Sequence, residues 1–289
     1  MREHSNAREG TAMKIYLMTD MEGVSGVVNY RDWCVPGGRY YEDGKMLLTL
    51  EVNAAVEGFF EAGAAEVHVV DGHGHGGINP ILLDRRACYI RHFKRPNPYP
   101  LFLDSAYDAI AWVGQHAKAG TEYAHLPHTG NFRVIDYTIN GVSIGEFGQV
   151  AICGATMGVR SIFGAGDEAF TKEAKSLIPG LETVAVKKGL QDGTGDECDT
   201  EAYRDRNLSA LHLHPEAARE RIREGARRAL ARLIADPDSF GLLTLQPPYR
   251  KVVKYRADGD NGPLTVCAEH PNDVIELMNM PGLPLQSAT

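Results

Sequence analysis

The sequence has no long hydrophobic run, and this absence argues against a membrane protein. A helix that spans a membrane needs roughly 20 consecutive apolar residues, whereas the apolar stretches in these 289 residues break after a few positions. Residues 1–12 are polar and lack the apolar core of a signal peptide. We therefore expect a cytoplasmic protein without a membrane partner.

Basic residues are outnumbered by acidic ones. The 30 Lys and Arg residues face 38 Asp and Glu residues, which gives a formal net charge of -8. Because binding to the phosphates of nucleic acid requires a cationic surface, we expect no nucleic acid partner. Hydrophobic residues make up 43% of the chain, which is enough to bury a substantial core.

Cysteines are few and follow no paired pattern. The five cysteines are odd in number, scattered, and form no C-x-x-C pair: Cys34, Cys88, Cys153, Cys198 and Cys267. We interpret them as reduced thiols that pack in the core.

Several common catalytic motifs are missing as well. The sequence contains no H-E-x-x-H zinc helix and no G-x-S-x-G nucleophile elbow. It also contains no G-x-x-x-x-G-K-[ST] phosphate loop and no G-x-G-x-x-G motif after the first predicted strand. The glycine-rich residues 72–77 follow a predicted strand without matching the phosphate-cradling pattern. These absences argue against zinc-helix proteases, serine hydrolases and nucleotide-binding enzymes.

Strands and helices alternate over most of the sequence. Apolar runs at 14–19, 66–70 and 109–113 predict buried strands, and apolar residues at helical spacing predict a helix at 42–62. Further predicted elements are a short helix at 102–108, a hairpin over 133–144 that turns at Asn140-Gly141, a helix at 146–157, a strand at 161–163, a helix at 168–177 and a strand at 182–186. This alternation predicts an α/β fold whose mostly parallel sheet has helices on both faces.

The predicted domain organisation has three parts. Residues 1–13 form a flexible tail, residues 14–190 form an α/β metal-binding catalytic domain, and residues 191–289 form a smaller α+β C-terminal region. That region begins with a Gly-rich, acidic segment at 191–205, which we interpret as a linker or an exposed insertion. A strongly amphipathic helix follows at 215–234.

Side chains that bind metals follow three of the predicted strands. They are Asp20 and Glu22 after the first strand, Asp71, His73 and His75 after the second, and His116 after the third. Because the carboxyl ends of parallel strands meet at one edge of a sheet, we expect these side chains to converge. Mixed imidazole and carboxylate ligands suit zinc, with manganese or iron as alternatives.

Five short motifs occur in an order and spacing that resemble one known family. They are MTDMEGVSG at 18–26, VDGH at 70–73, VGQHAKAG at 113–120, HT at 128–129 and GEFG at 145–148. Together they resemble the zinc-dependent D-aminopeptidase family of the DppA type, peptidase family M55. The resemblance runs from about residue 14 to about residue 186 and resumes in the C-terminal region.

The resemblance implies a site with two zinc ions, or with Mn²⁺ or another divalent transition metal. It places five residues at the metal-binding positions of the family, with Asp20 as the ligand that bridges both ions: Asp20, Glu22, His73, His116 and Glu146. His128 falls at the position of the catalytic nucleophile or acid-base group. Without the resemblance, Glu146 is interpreted as an ordinary acidic residue at a helix start, and His125 and His128 cannot be ranked.

The resemblance also implies an activity and an assembly. It predicts a binuclear-metal aminopeptidase that uses metal-activated water to release N-terminal D-amino acids from short peptides or amides. It further predicts a homo-oligomer, such as a ring that encloses the sites. Two alternatives stay open: a metal-dependent amidase for another small amide, and a non-catalytic peptide-binding component of a transport system. The missing signal peptide and the full ligand set argue against the second.

Overall fold

The computed structural model describes residues 12–285, so most of the predicted tail at 1–13 lies outside the described residues. The described strands, in chain order, are β1 (Met13–Thr19), β2 (Ala64–Asp71), β3 (Cys88–Ile90), β4 (Ala109–Gln115), β5 (Val134–Ile139), β6 (Val142–Ser143), β7 (Arg160–Asp167), β8 (Glu182–Gly189), β9 (Ala210–His212), β10 (Tyr249–Tyr255), β11 (Leu264–His270) and β12 (Leu283–Pro284). The helices are α1 (Tyr30–Trp33), α2 (Tyr41–Glu61), α3 (Glu146–Thr156), α4 (Glu168–Leu177), α5 (Thr200–Arg206), α6 (Pro215–Ala235) and α7 (Val274–Asn279).

Seven strands form the main sheet, in the order β3-β2-β1-β4-β7-β8-β9. All neighbouring pairs are parallel except β8 and β9, which are antiparallel. Each parallel connection passes through a long crossover, and α2 and α4 are two of these crossovers. The predicted α/β fold with a mostly parallel sheet is confirmed.

Helices cover both faces of this sheet. Ile15 and Leu17 of β1 belong to a buried cluster with α2 and α6, whereas Tyr16 and Met18 belong to a second cluster with α3, α4 and α7. This division follows from the two-residue alternation of side chains along a strand. Helices α2 and α6 pack so closely that a Cβ atom on Gly58 would lie 2.2 Å from the carbonyl oxygen of Arg223. Only glycine is compatible with that approach.

A second, antiparallel sheet has the order β12-β11-β10-β5-β6. The hairpin β5-β6 turns at Asn140 and Gly141, which both have positive φ angles, of 51° and 80°. This turn confirms the hairpin that the Asn-Gly pair predicts.

Strand pairing crosses the predicted domain boundary at residue 190. The hairpin β5-β6 joins the C-terminal strands in the second sheet, and β9 joins the main sheet. The elements on either side of residue 190 are therefore interleaved. The division into domains at 14–190 and 191–289 stays a prediction.

One local prediction is wrong. No helix forms at 102–108, because Leu101 and Phe102 have φ angles of 61° and 63°, outside the right-handed helical region.

The interpretation of residues 191–205 as a linker or an exposed insertion stays a prediction. Most of these residues are exposed or half-buried, and the segment leads into α5, whose Tyr203 side chain is fully buried. The guanidinium of Arg256 stacks 3.5 Å from the centre of the Tyr203 ring and anchors the segment.

None of the helices within residues 12–285 is both long enough and apolar enough to span a membrane.

Candidate metal centre

The candidate site lies where the strand order of the main sheet reverses direction. The chain passes from β1 to β2 on one side of β1 and later returns to β4 on its other side. Thr19, the last residue of β1, is in register with Asp71 of β2 and Val113 of β4, so the three strands end together. This edge is the usual ligand-binding position in an open α/β sheet.

The loop after β1 is pressed against the end of β4. The N–H of Asp20 donates to the carbonyl oxygen of Val113 (3.0 Å), and the N–H of Gly23 donates to that of Gly114 (2.8 Å). Gly114 has a φ angle of 78°, and a Cβ atom there would lie 1.9 Å from the carbonyl oxygen of Asp20. Glycine at this position therefore allows the Asp20 backbone to approach β4.

Asp20 lies between two histidines. Its Oδ1 atom is 3.1 Å from Nδ1 of His73, and its Oδ2 atom is 3.1 Å from Nε2 of His116. Nδ1 of His73 also lies 3.2 Å from Oε2 of Glu22. All four side chains are almost fully buried. The geometry therefore gives Asp20 one oxygen for each of two neighbouring positions.

Glu146 and His128 complete the group on the His116 side. Oε1 of Glu146, the first residue of α3, lies 3.7 Å from Nε2 of His116 and 3.8 Å from Nε2 of His128. The rings of His116 and His128 stack with centres 3.9 Å apart. The N–H of Gly130 donates to Oε1 of Glu146 (2.7 Å), which ties the His128 loop to the start of α3.

The three histidines are oriented in the same way. In each, one ring nitrogen donates its proton to a backbone carbonyl oxygen: His73 to Cys34 (2.7 Å), His116 to Ala117 (2.9 Å) and His128 to Leu126 (3.0 Å). In the neutral imidazole this leaves the other nitrogen with a lone pair directed at the carboxylates. Histidines that bind metals are commonly fixed by such a second hydrogen bond.

Two buried atoms in the group have no hydrogen-bond partner, Oε2 of Glu22 and Nε2 of His116. Buried polar atoms are normally satisfied, and a lone pair that faces carboxylate oxygens is favourable only with a cation or a proton between them. The potential ligand atoms form two compact groups, one from Asp20, Glu22 and His116 and one from His116, His128 and Glu146, each within 4.8 Å. These residues fit a divalent metal ion with nitrogen and oxygen ligands.

The charges in the group are strongly coupled. Burial alone would lower the pKa of His73, but the negative charge of Glu22 and the hydrogen bond to Asp20 raise that pKa well above its ordinary value. Burial would raise the pKa of Asp20, but the adjacent imidazoles of His116 and His73 hold it well below its ordinary value. Protons on the imidazoles thus balance the carboxylates, and a divalent cation does the same on binding.

The predicted residues meet at one cavity of about 420 Å³. Five of the six predicted side chains line it, and His116 lies directly behind Asp20. The rest of the wall includes apolar and aromatic side chains, among them Met18, Phe93, Tyr99, Leu101 and Val150, and also polar ones such as Thr19 and Gln115. Gln149 accepts a hydrogen bond from the Tyr99 hydroxyl (2.5 Å). The roles of the six residues stay predictions, while their convergence is a feature of the fold.

His75 and His125, the sequence neighbours of His73 and His128, lie outside the group of candidate ligands. His75 is exposed at the rim of the cavity, with its ring centre 6.3 Å from that of His73. His125 is fully buried, points away towards the Val28 carbonyl oxygen (3.2 Å), and has its pKa lowered by burial to about 2. Neither belongs to the two compact groups of ligand atoms; His73 is outside these groups as well, but its Nδ1 lies 3.1 Å from Asp20 and 3.2 Å from Glu22.

Arg91 supports the loop that carries His73, and sequence patterns alone did not indicate it. Its Nη1 atom donates to the carbonyl oxygens of Asp71 (3.0 Å) and His73 (2.8 Å), and its Nη2 atom donates to that of Gly74 (2.8 Å). The hydroxyl of Tyr89 donates to the Asp71 carboxylate (2.9 Å). A guanidinium that holds three carbonyl groups of one loop, those of Asp71, His73 and Gly74, fixes the path of the loop and, with it, the His73 ring.

Known proteins resemble this chain in sequence. A family model described as D-aminopeptidase, peptidase family M55, matches residues 13–261. A D-aminopeptidase of Bacillus subtilis (strain 168) is 33% identical over 182 residues, which cover 62% of this chain and 65% of the relative. The chain thus aligns with about two thirds of the length of that relative.

A solved structure shows the same fold. The structure described as Zn-dependent D-aminopeptidase DppA from Bacillus subtilis, a self-compartmentalizing protease, superposes with a TM-score of 0.76 at 24% identity. The superposition covers 92% of this chain and 95% of the other. The match of the family model over residues 13–261, most of the sequence, shows that this chain belongs to the M55 family of D-aminopeptidases.

Proposed function

We propose that this chain is an aminopeptidase that binds two zinc ions per chain and releases N-terminal D-amino acids from short peptides or amides. The observation that carries the proposal is the position of Asp20, whose two oxygens face separate histidines. One ion would be held by Asp20, Glu22 and His73, and the other by Asp20, His116 and Glu146. The names of the two relatives support the D-configuration and zinc.

Bound zinc would supply a water of lowered pKa and polarise the scissile carbonyl group. The protein would hold the substrate next to the carboxylates and imidazoles, in a cavity whose wall also contains apolar and aromatic side chains. Such a wall suits an uncharged side chain next to the scissile bond and limits the access of bulk water.

His128 is the proposed catalytic residue. Since its Nδ1–H donates to the Leu126 carbonyl oxygen, the neutral ring has a lone pair on Nε2. A lone pair accepts a proton, so this tautomer favours an acid-base role, in which Nε2 takes up a proton and passes it to the leaving amine. Stabilisation of an oxyanion would require the protonated ring.

A homo-oligomer is also part of the proposal. The related solved structure is described as self-compartmentalizing, which supports an assembly of several copies with enclosed sites. The cytoplasmic location stays a prediction from the sequence.

The test combines hydrolysis with metal analysis. Release of amine from D- and L-aminoacyl amides and from short D-peptides is measured with and without a chelator, and zinc and manganese are determined in the same sample. We expect D-selective hydrolysis that the chelator abolishes and zinc restores. Hydrolysis of a different amide would favour the amidase alternative, and tight peptide binding without hydrolysis would favour the transport component.

The assignment of His73 rather than His75 gives a paired prediction. His73→Ala should lose at least one metal ion, because its Nδ1 faces both Asp20 and Glu22. His75→Ala should keep its metal and most of its activity, since that ring is exposed at the rim. Metal content by elemental analysis decides between them. If it responds to His75→Ala alone, the ligand assignment in this loop is wrong.

Arg91 gives a prediction about metal affinity. Arg91→Met should weaken zinc binding by about 10- to 100-fold, as loss of a group that orients a ligand typically does. Arg91→Lys should bind zinc little better than Arg91→Met, because one ammonium group cannot replace the two nitrogens of the guanidinium that hold three carbonyl groups. Arg86→Met is the control, since Arg86 pairs with Asp84 outside the site. Equal zinc affinity in Arg91→Met and the parent, measured by titration, would contradict this role.

A further inference from the structure

A basic segment borders the candidate metal centre in a chain that is acidic overall. Residues 85–103 contain five Lys and Arg residues and no Asp or Glu, whereas the whole chain has a net charge of -8. The five residues are Arg85, Arg86, Arg91, Lys94 and Arg95. The local charge is therefore opposite in sign to that of the protein, which calls for a physical reason at this position.

Part of this segment lines a second cavity that adjoins the first. This outer cavity, of about 1050 Å³, shares Gly72, Gly74 and Phe93 with the metal cavity. Its other lining residues are Arg91, His92, Lys94, Arg95, Pro96 and Pro98, none of them acidic. The two cavities therefore adjoin along Gly72, Gly74 and Phe93, and the outer cavity carries positive charge.

Lys94 and Arg95 are the side chains available to a ligand there. Nη1 and Nη2 of Arg91 already donate to carbonyl groups of the His73 loop, and its Nε lies 4.0 Å from the Asp71 carboxylate. Lys94 and Arg95 are exposed, and within residues 12–285 neither has an acidic partner within 4.0 Å. Lys94 Nζ lies 5.9 Å from the centre of the Phe102 ring, at the outer limit of a cation–π contact.

The two cavities together offer different groups to the two ends of a ligand. The inner end holds the candidate metal ligands Asp20, Glu22 and Glu146, whose negative charge bound divalent ions would offset, and the outer end holds the cations Lys94 and Arg95. A short peptide with free termini has an N-terminal amine, which can coordinate a metal ion, and a C-terminal carboxylate, which the outer cations would attract. Complementary groups at the two ends of a binding site favour and orient such a ligand.

We propose that Lys94 and Arg95 bind the C-terminal carboxylate of a short peptide substrate and so select free peptides over their amides. This inference rests on the proposed aminopeptidase function and adds a specificity determinant to it. A peptide with a free C-terminus would contact both cations with its last residue, while its N-terminal amine lies among the metal ligands. The ordinary substrate would then be a di- or tripeptide, rather than the end of a long chain.

The experiment compares D-alanyl-D-alanine with its C-terminal amide on the zinc-loaded enzyme. The parent should prefer the free acid in kcat/KM, and the double variant Lys94→Gln, Arg95→Gln should lower that preference by about five- to tenfold, the scale expected for two exposed ion pairs. The change should appear in KM for the free acid, with kcat and metal content unchanged. Added salt should weaken the preference of the parent in the same direction.

The control removes the same charge from the same segment outside the outer cavity. Arg85→Gln, Arg86→Gln should keep the preference of the parent, since neither residue lines that cavity. If both double variants lose the preference for the free acid equally, net charge alone explains the effect and the proposal is wrong. The proposal is also wrong if Lys94→Gln, Arg95→Gln keeps the preference of the parent.

Failure of the proposed function has a separate signature. If the parent hydrolyses neither peptide, the aminopeptidase assignment is wrong, and calorimetric binding of the two peptides then tests the outer cavity by itself. Tighter binding of the free acid that is lost in Lys94→Gln, Arg95→Gln would support carboxylate recognition. Equal affinity for acid and amide would reject it.

Discussion

Asp20→Ala should remove both metal ions and abolish hydrolysis in one step. The side chain offers one oxygen towards His73 and the other towards His116, so each proposed metal position loses a ligand when it is removed. Without metal-activated water, we expect turnover to fall on the order of 10³-fold or more. Elemental analysis and turnover are measured on the same preparation, together with a thermal unfolding curve.

The unfolding curve separates loss of metal from loss of the fold. Asp104→Ala is the matched control, because Asp104 is an exposed aspartate outside both cavities and should keep metal and activity. Asp20→Asn retains the volume and hydrogen-bonding oxygen of the side chain but not its charge, and should also lose metal. Asp20→Ala that keeps both ions would contradict the bridging role, and metal-free parent protein that is fully active would contradict the metal centre itself.

Five of the seven strands of the main sheet could be predicted because their signals are local, whereas the short strands β3 and β9 were not predicted. Apolar runs such as 14–19 and 109–113 are too short for helices, and the helix between the first two strands shows its buried positions at helical spacing. Parallel strands that alternate with helices must end on the same edge, so Asp20, His73 and His116 could be placed together without coordinates. The convergence of these side chains at one edge therefore follows from the parallel direction of the strands, which the alternation of strands and helices along the chain indicates.

The remaining part of the site depends on contacts between distant segments. His128 lies in a loop and Glu146 at a helix start, and their approach depends on the Gly130 N–H that bonds to the Glu146 carboxylate. No periodicity in the sequence reports such a contact, which is why only the family resemblance indicated these two residues. Arg91 was missed for the same reason, since its three partners are backbone carbonyl groups that have no sequence signature.

The strand partners in the second sheet could not be predicted from the sequence either. The hairpin β5-β6 was predicted from its Asn-Gly turn, but its partner β10 begins at Tyr249, more than a hundred residues later. Long-range antiparallel pairing depends on the packing of complete faces, and single-strand patterns do not determine the partner. The interleaving of the two regions around residue 190 follows from that pairing.

His128→Ala should lower turnover by about 10²-fold or more while both metal ions stay bound, as expected for loss of a general acid-base group. Its Nε2 faces the cavity beside Glu146, and its Nδ1–H is held by the Leu126 carbonyl oxygen, so the ring has a fixed orientation towards the substrate. Turnover and metal content are compared with those of the parent under saturating substrate.

The comparison with His125→Ala makes this result specific. His125 lies in the same loop and is fully buried, but it points to the Val28 carbonyl oxygen and away from the cavity, so its loss should lower thermal stability much more than turnover. The structure also groups His128 with His116 and Glu146 as potential ligands. Loss of one metal ion in His128→Ala would therefore show that His128 is a metal ligand. Unchanged turnover would show that His128 has no part in the mechanism. Slow turnover with both ions retained would assign the proton transfer to Nε2 of His128.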